Sequence, residues 1–144
     1  MARIFSREFT EEVIAACNAD LELLAQAKLL SGDMVFLASD TPDSKDVQVR
    51  YHFDAGRCTT YDFVEEAAPS ALREQSFHAP VDGLARVSAP YKIFVELDKG
   101  VMEPADALNS PDYAIEGNKM LLLPLMQAVM AFTEKVRGLP KTYE

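Results

Sequence analysis

The chain has 144 residues, 49% of them apolar and 26% charged, with no tryptophan and a formal net charge of −9. That length suits one domain, and roughly 70% of the surface exposed by the unfolded chain is buried at this size, so a core forms without metal or disulfide staples. The acidic balance argues against nucleic acid, which is held through clustered Lys and Arg, and leaves at most transient contact with an anionic membrane.

Two cysteines, Cys17 and Cys58, fall in a helical and a strand pattern respectively, with no short Cys-x-x-Cys spacing. Zinc knuckles and dithiol redox motifs are therefore not expected, and two buried free thiols in a reducing compartment are. The N-terminus, Met1 to Glu8, is charged and lacks the apolar core of an export signal. The greasiest stretch, Met120 to Phe132, is about 13 residues long, too short to span a bilayer. A cytoplasmic location is the expectation.

Thr10 has the chemistry of an N-cap, with Glu11 and Glu12 in the first turn where the helix dipole favours acids. Val13, Ile14, Cys17, Leu21, Leu24 and Ala25 then recur at helical spacing, and Gly32 is a natural stop. One long amphipathic helix from Thr10 to Leu30 is predicted. The period then changes to two. Met34–Ala38 is a short apolar strand, Asp40–Ser44 is turn chemistry, and Val47, Val49, Tyr51 and Phe53 alternate with Gln48, Arg50, His52 and Asp54. Asp54-Ala55-Gly56 is a tight turn before a third strand, Arg57 to Val64, completing an antiparallel meander.

Glu65 to Val81 has no clear period; one or two helical turns near Pro69–Glu74 and loop or edge strand near Phe77–Pro80 fit it. Leu84–Ser88 reads as a strand. Pro90 suits the first position of a helix whose face is Tyr91, Phe94, Val95 and Leu97, ending at Gly100. A short helix over Met102–Leu108, a last strand over Tyr113–Gly117 and a closing helix from about Pro124 to Val136 follow, with Pro124 as a kink if the helix begins earlier. Blocks of strands with segregated helices indicate α+β, helices covering one sheet face.

Catalytic constellations are sparse. His52 and His78 are the only histidines and have no metal-ligand neighbour at helical or hairpin spacing. No glycine-rich phosphate loop and no Gly-x-Ser-x-Gly is present. A Cys58 nucleophile would need His52 or His78 beside it. Acidic pairs such as Glu65-Glu66 read as solvated faces. No enzyme activity, metal or cofactor is expected. What stands out is apolar excess: Met120 to Phe132 holds one polar side chain, Gln127, and three of the six methionines, Met120, Met126 and Met130. A helix covering one sheet face needs an apolar stripe, not an apolar cylinder. Neighbouring helices, a second subunit or a ligand would have to dehydrate the remainder, and unbranched Met suits a wall whose occupant varies in shape.

The run from Leu84 to Val136 resembles the sterol carrier protein type-two domain, the non-specific lipid-transfer family. The likeness is carried by the strand Leu84–Ser88, the helix Tyr91–Leu97 with Gly100, the run Glu103-Pro104-Ala105-Asp106-Ala107-Leu108, the strand Tyr113–Gly117 and the Leu/Met helix after it. The upstream order, helix then meander, fits the same family. Departures are Asn118 where the family often has an acid, Pro124 inside the closing helix, and a longer Glu65–Val81 segment. The resemblance implies one domain over 1–144, with a five-stranded, mostly antiparallel sheet covered by helices and an apolar tunnel between the layers. It implies binding, with transfer, of sterols, fatty acids or acyl-CoA without a cofactor. Mapped onto this chain it makes Phe94, Leu97, Val101, Met102, Leu108, Ile115, Leu122, Leu125, Met126, Val129 and Met130 the ligand-binding wall, each of which plain core packing also explains. The competing reading is a homodimeric protein-interaction module or an accessory subunit of a lipid-metabolising enzyme, with His52, Cys58, Tyr61 and His78 as the only chemical groups in the latter case.

Overall fold

A computed structural model describes all 144 residues. The first helix, α1 (Arg7–Asn18), is opened by Ser6, whose hydroxyl accepts from the Phe9 N–H at 3.1 Å. Thr10, the expected cap, lies inside that helix, buried, with its hydroxyl donating to the Ser6 carbonyl at 2.9 Å. The single helix predicted from Thr10 to Leu30 is broken in two. Asn18 spends its side chain bridging both the N–H and the C=O of Cys58, and the Asp20 carboxylate accepts from Leu23 N–H and starts a new helix, α2 (Leu21–Gln26). The local Asp20 bond competes with the helical ladder, and the long-range Asn18 bonds to Cys58 hold the chain where it breaks. Gly32 does not stop a helix. It opens the first strand at φ +126, where a Cβ would fall 2.8 Å from the Leu84 side chain.

The five strands are β1 (Gly32–Ser39), β2 (Lys45–Asp54), β3 (Arg57–Ala67), β4 (Ala85–Pro90) and β5 (Ala114–Gly117). They form one sheet in the order β3-β2-β1-β4-β5. Neighbours are antiparallel except β1 and β4, which run parallel. The α+β class and the mostly antiparallel sheet expected from the sequence are both present. A bulge between His52 and Phe53 shifts the β2–β3 register.

Period-two alternation sends Val47, Val49, Tyr51 and Phe53 of β2 to one face, in register with Ala38, Phe36 and Met34 of β1 and then Ala89, Val87 and Ala85 of β4. The helices pack on that face. Phe9, Val13 and Cys17 of α1, Leu23 of α2, and Leu125, Ala128 and Phe132 near the C-terminus join the strand residues in one buried cluster. Phe132 stands edge-on to Tyr51 and Phe53, with ring centroids 5.4 and 5.5 Å away.

After β4, Pro90 caps α3 (Tyr91–Lys99) from outside instead of occupying its first turn, and Gly100 ends it in the left-handed region at φ +75. The short α4 (Pro104–Leu108) carries Pro104 in its first turn. The closing segment is not one rod. It comprises α5 (Lys119–Leu122), a 3-10 turn (Leu123–Leu125) that holds Pro124, and α6 (Met126–Arg137). Pro124 lacks an N–H, so the bend falls where the ladder has least to lose. Beyond α6, Lys141 is buried on Asp98 at 2.8 Å, and the Tyr91 hydroxyl donates to the Tyr143 carbonyl at 2.6 Å, tying the tail to α3.

The second sheet face is covered without a helix. From β3 the chain makes a 3-10 turn, Ala71–Glu74, and runs irregularly back to β4, burying Leu72 on the same side as Val35 and Leu37. Asp46 of β2 fastens this segment. Its carboxylate, wholly buried, accepts from the Ser70 N–H and hydroxyl at 2.9 and 2.7 Å, from Arg73 Nε and Nη2 at 2.8 and 2.9 Å, and from the Asp40 N–H at 3.2 Å. Burial alone would raise its pKa, but the guanidinium and these N–H and O–H donors hold the carboxyl well below the ordinary range.

Candidate functional site

The groups that could do chemistry are dispersed. His52 and Cys58 sit on adjacent strands but on opposite faces. Cys58 is in the core, while the His52 ring lies between Asp33 and Asp62, with Nδ1 to Asp33 Oδ1 2.7 Å and Nε2 to Asp62 Oδ2 3.0 Å. Burial works against the imidazolium, yet the hydrogen bonds to Asp62 and Asp33 outweigh it and raise the His52 pKa. Burial pushes the Cys58 thiol up to about 11 and the Cys17 thiol up to about 12. Neither is poised as a thiolate nucleophile at neutral pH. The Tyr61 hydroxyl donates to Glu11 at 2.7 Å, and His78 lies on the exposed loop. These four side chains do not converge. No group of three or more His, Cys, Asp or Glu side chains gathers as a metal site.

The predicted wall divides by burial. Leu125 is in the core, and Phe94, Leu122 and Val129 pack against it. Leu97 and Met102 are half-buried. Val101, Leu108, Ile115, Met126 and Met130 are exposed, three of them by more than 60%. On α6 the helical period separates the two groups. Ala128 and Phe132 point into the core, whereas Met126 and Met130, one turn apart, stay 47% and 62% exposed. Ile115 of β5 pairs with Val87 and so belongs to the helix-covered face, on a strand whose outer edge is unpaired. Leu122 closes over the end of β5: a Cβ on Gly117 would lie 2.9 Å from its Cδ1.

Eight of the thirteen large exposed hydrophobic side chains fall between Val101 and Met130, so much of the apolar excess of the sequence stays on the outside while Leu125, Ala128 and Phe132 enter the core, and the apolar tunnel that the resemblance implied is not shown. Single exposed hydrophobics need no explanation; here eight fall in one stretch of the chain, from just past α3 to α6.

An open cavity lies elsewhere, on the second face. Its volume is ≈ 360 Å³, and Val35, Gln48, Arg50, Gln75, Ser76, Phe77, Asp82 and Arg86 line it. None of these was singled out from the sequence. Arg50 and Arg86 occupy the polar phase of the β2 and β4 alternation, the usual mark of solvent-facing residues. Yet Arg86 is only 6% exposed, because the irregular segment after β3 lies over it.

No family model matches the chain, and no curated protein matches it in sequence. Solved structures do match its shape. A crystal structure of sterol carrier protein 2 superposes with a TM-score of 0.73 at 18% identity, covering 96% of this chain and 100% of that one. A conserved hypothetical protein of Thermus thermophilus, suggested to be a sterol carrier protein, gives 0.72 at 18% identity over 100% of this chain and 94% of that one. The sterol carrier protein domain 2 of Helicoverpa armigera gives 0.55 at 13% identity over 94% and 90%. The chain therefore has the sterol carrier protein 2 fold, expected above from the run between Leu84 and Val136.

Proposed function

We propose that residues 1–144 act as one lipid-binding unit that holds an apolar molecule on the surface carried by α4, β5 and the C-terminal helices, and passes it on without chemical change. The observation that carries this reading is the uncovered apolar surface between Val101 and Met130, on a fold shared with sterol carrier protein 2. Burying an acyl chain gains about 0.8 kcal/mol per methylene, so ten methylenes reach about 8 kcal/mol, the scale of micromolar affinity. Val101, Leu108, Ile115, Met126 and Met130 form the contact surface, and the buried Leu125 and half-buried Phe94, Leu122 and Val129 support it from beneath. Apolar walls discriminate poorly between chains of similar length, so the expected guests are fatty acids, acyl-CoA and sterols as a class. Two buried, reduced thiols suit a cytoplasmic setting.

Titration with a fluorescent fatty acid tests the reading. The double substitution Met126→Gln with Met130→Gln alters exposed positions. It leaves the melting temperature within about 2 °C while weakening binding at least about tenfold. Wild-type protein that fails to bind at tens of micromolar, or a double variant that binds equally well, refutes it. The same exposure supports a second reading, a homodimer closed through this surface. Sedimentation separates the two: a carrier is monomeric with its guest, whereas the dimer persists after lipid extraction and dissociates in the double variant.

A further inference from the structure

We infer that the cavity on the second sheet face is a binding site for a small organic carboxylate, independent of the apolar surface across the sheet. Two arginines there have hydrogen-bonding capacity to spare. Arg50 makes both its protein contacts through Nη1, to Asp33 Oδ2 at 3.0 Å and the Asp82 carbonyl at 2.5 Å. Arg86 uses Nε and Nη2, to Glu116 Oε1 at 2.9 and 2.6 Å, and Nη2 again to the Gln75 carbonyl at 2.8 Å. That leaves Nε and Nη2 of Arg50 and Nη1 of Arg86 without a protein partner. The one buried side-chain polar atom lacking a partner in the molecule is Arg3 Nε, so these three nitrogens are reached by solvent. Both arginines line this cavity.

The side chains around those nitrogens define the guest. Glu116 and Asp33 fix the two guanidinium groups, so donors stand pre-oriented and little side-chain entropy is lost on binding. The Asp82 carboxylate is engaged by the His78 N–H at 2.8 Å. The Phe77 ring forms one wall, its centroid 5.4 Å from Arg86 Cζ. Val35 is the apolar contribution from β1, and the amides of Gln48 and Gln75 and the Ser76 hydroxyl complete the lining. Arg50 and Arg86, each with spare donors, line the cavity together with Phe77; the one carboxylate in the lining, Asp82, has its Oδ2 turned to the His78 N–H. A planar carboxylate is complementary: its oxygens accept from the two guanidinium edges and its body lies against Phe77. The two arginines already have anionic neighbours, so directional donors rather than net positive charge hold the guest, and affinity falls only weakly with salt. Gly83, at φ +144, permits the arrangement, since a Cβ there would approach Phe77 Cζ to 3.3 Å and Arg50 Nη1 to 3.4 Å.

Benzoate is the test probe and benzyl alcohol its neutral control, each titrated into isotopically labelled full-length protein followed by NMR. Benzoate is expected to shift the Nε–H signals of Arg50 and Arg86 and the amide of Phe77 in a saturable way at millimolar concentration, with benzyl alcohol at least about tenfold weaker. Gln75→Glu puts a negative charge at an exposed position of the lining and weakens benzoate about tenfold. Ser76→Asp is the second variant, with the same expectation, should the first not fold. Unmoved arginine signals overturn the proposal. So do equal binding of the alcohol, benzoate shifts confined to Met126 and Met130, or undiminished binding in the folded variant. Fatty-acid binding on the far face is read separately and is indifferent to each result.

Discussion

Removing the Asp46 carboxylate releases the segment that covers the second sheet face. In Asp46→Ala, five hydrogen bonds to a wholly buried carboxylate disappear together. Breaking one partner of a buried ion pair destabilises by about 3–5 kcal/mol when the other charge stays buried. Arg73 keeps 34% of its side chain exposed and rehydrates, which places the expected loss at the lower end, about 3 kcal/mol. For a chain of this size that is a fall of roughly 10 °C in melting temperature. Denaturant unfolding measures the loss directly, and its pH dependence supplies a second readout. A carboxylate whose folded pKa is depressed contributes stability that is present above its unfolded value and lost as pH falls through the folded one. Wild type therefore loses stability steeply below about pH 4, and Asp46→Ala flattens that acid limb. A change under about 1 kcal/mol with an unaltered acid limb would show that Asp46 is not what fastens the segment.

Phe132→Ala empties the space between Tyr51 and Phe53 and is expected to lower unfolding free energy by about 3–5 kcal/mol in urea titration; a loss below about 1 kcal/mol would mean the helical layer does not rest on this ring. His52 has a raised folded pKa, so its contribution is complete below the unfolded value near about 6.5 and fades as pH rises through the folded one. The stability gap between wild type and His52→Gln should shrink across that window, and a gap constant from pH 6 to 9 would remove the Asp33–His52–Asp62 pairing as its source. Cys17 and Cys58, buried with thiols pushed up to about 12 and about 11, should react with a disulfide reagent at pH 8 only as fast as the protein unfolds, and immediate stoichiometric reaction would contradict their burial.

The strands were legible because burial on a sheet face follows a period of two, and Val47, Val49, Tyr51 and Phe53 keep that period without a lapse. The break between α1 and α2 was not. The apolar stripe from Val13 to Ala25 stays in helical phase across it, and the interruption comes from Asn18 reaching a strand forty positions away. The greasy C-terminal run announced itself by composition. Its exposure could not be read there, since the same run would serve equally well inside a larger core. Arg50 and Arg86 were missed for a related reason. In a half-buried strand the polar phase is taken to meet water, and the segment that roofs them has no periodicity by which to recognise a covering layer.

The parallel pairing of β1 with β4 has a consequence for how the chain is handled. Strand β1 sits mid-sheet, yet one of its edges is satisfied only by residues from Ala85 onward, after the whole meander has been laid down. A ribosome-bound or truncated product ending before Ala85 would carry Met34 to Ser39 as a bare, largely apolar edge, a template for strand addition by other copies. Fragments meant to remain dispersed in solution should therefore include β4, and dissection of this protein is better done by point substitution than by cutting it in two.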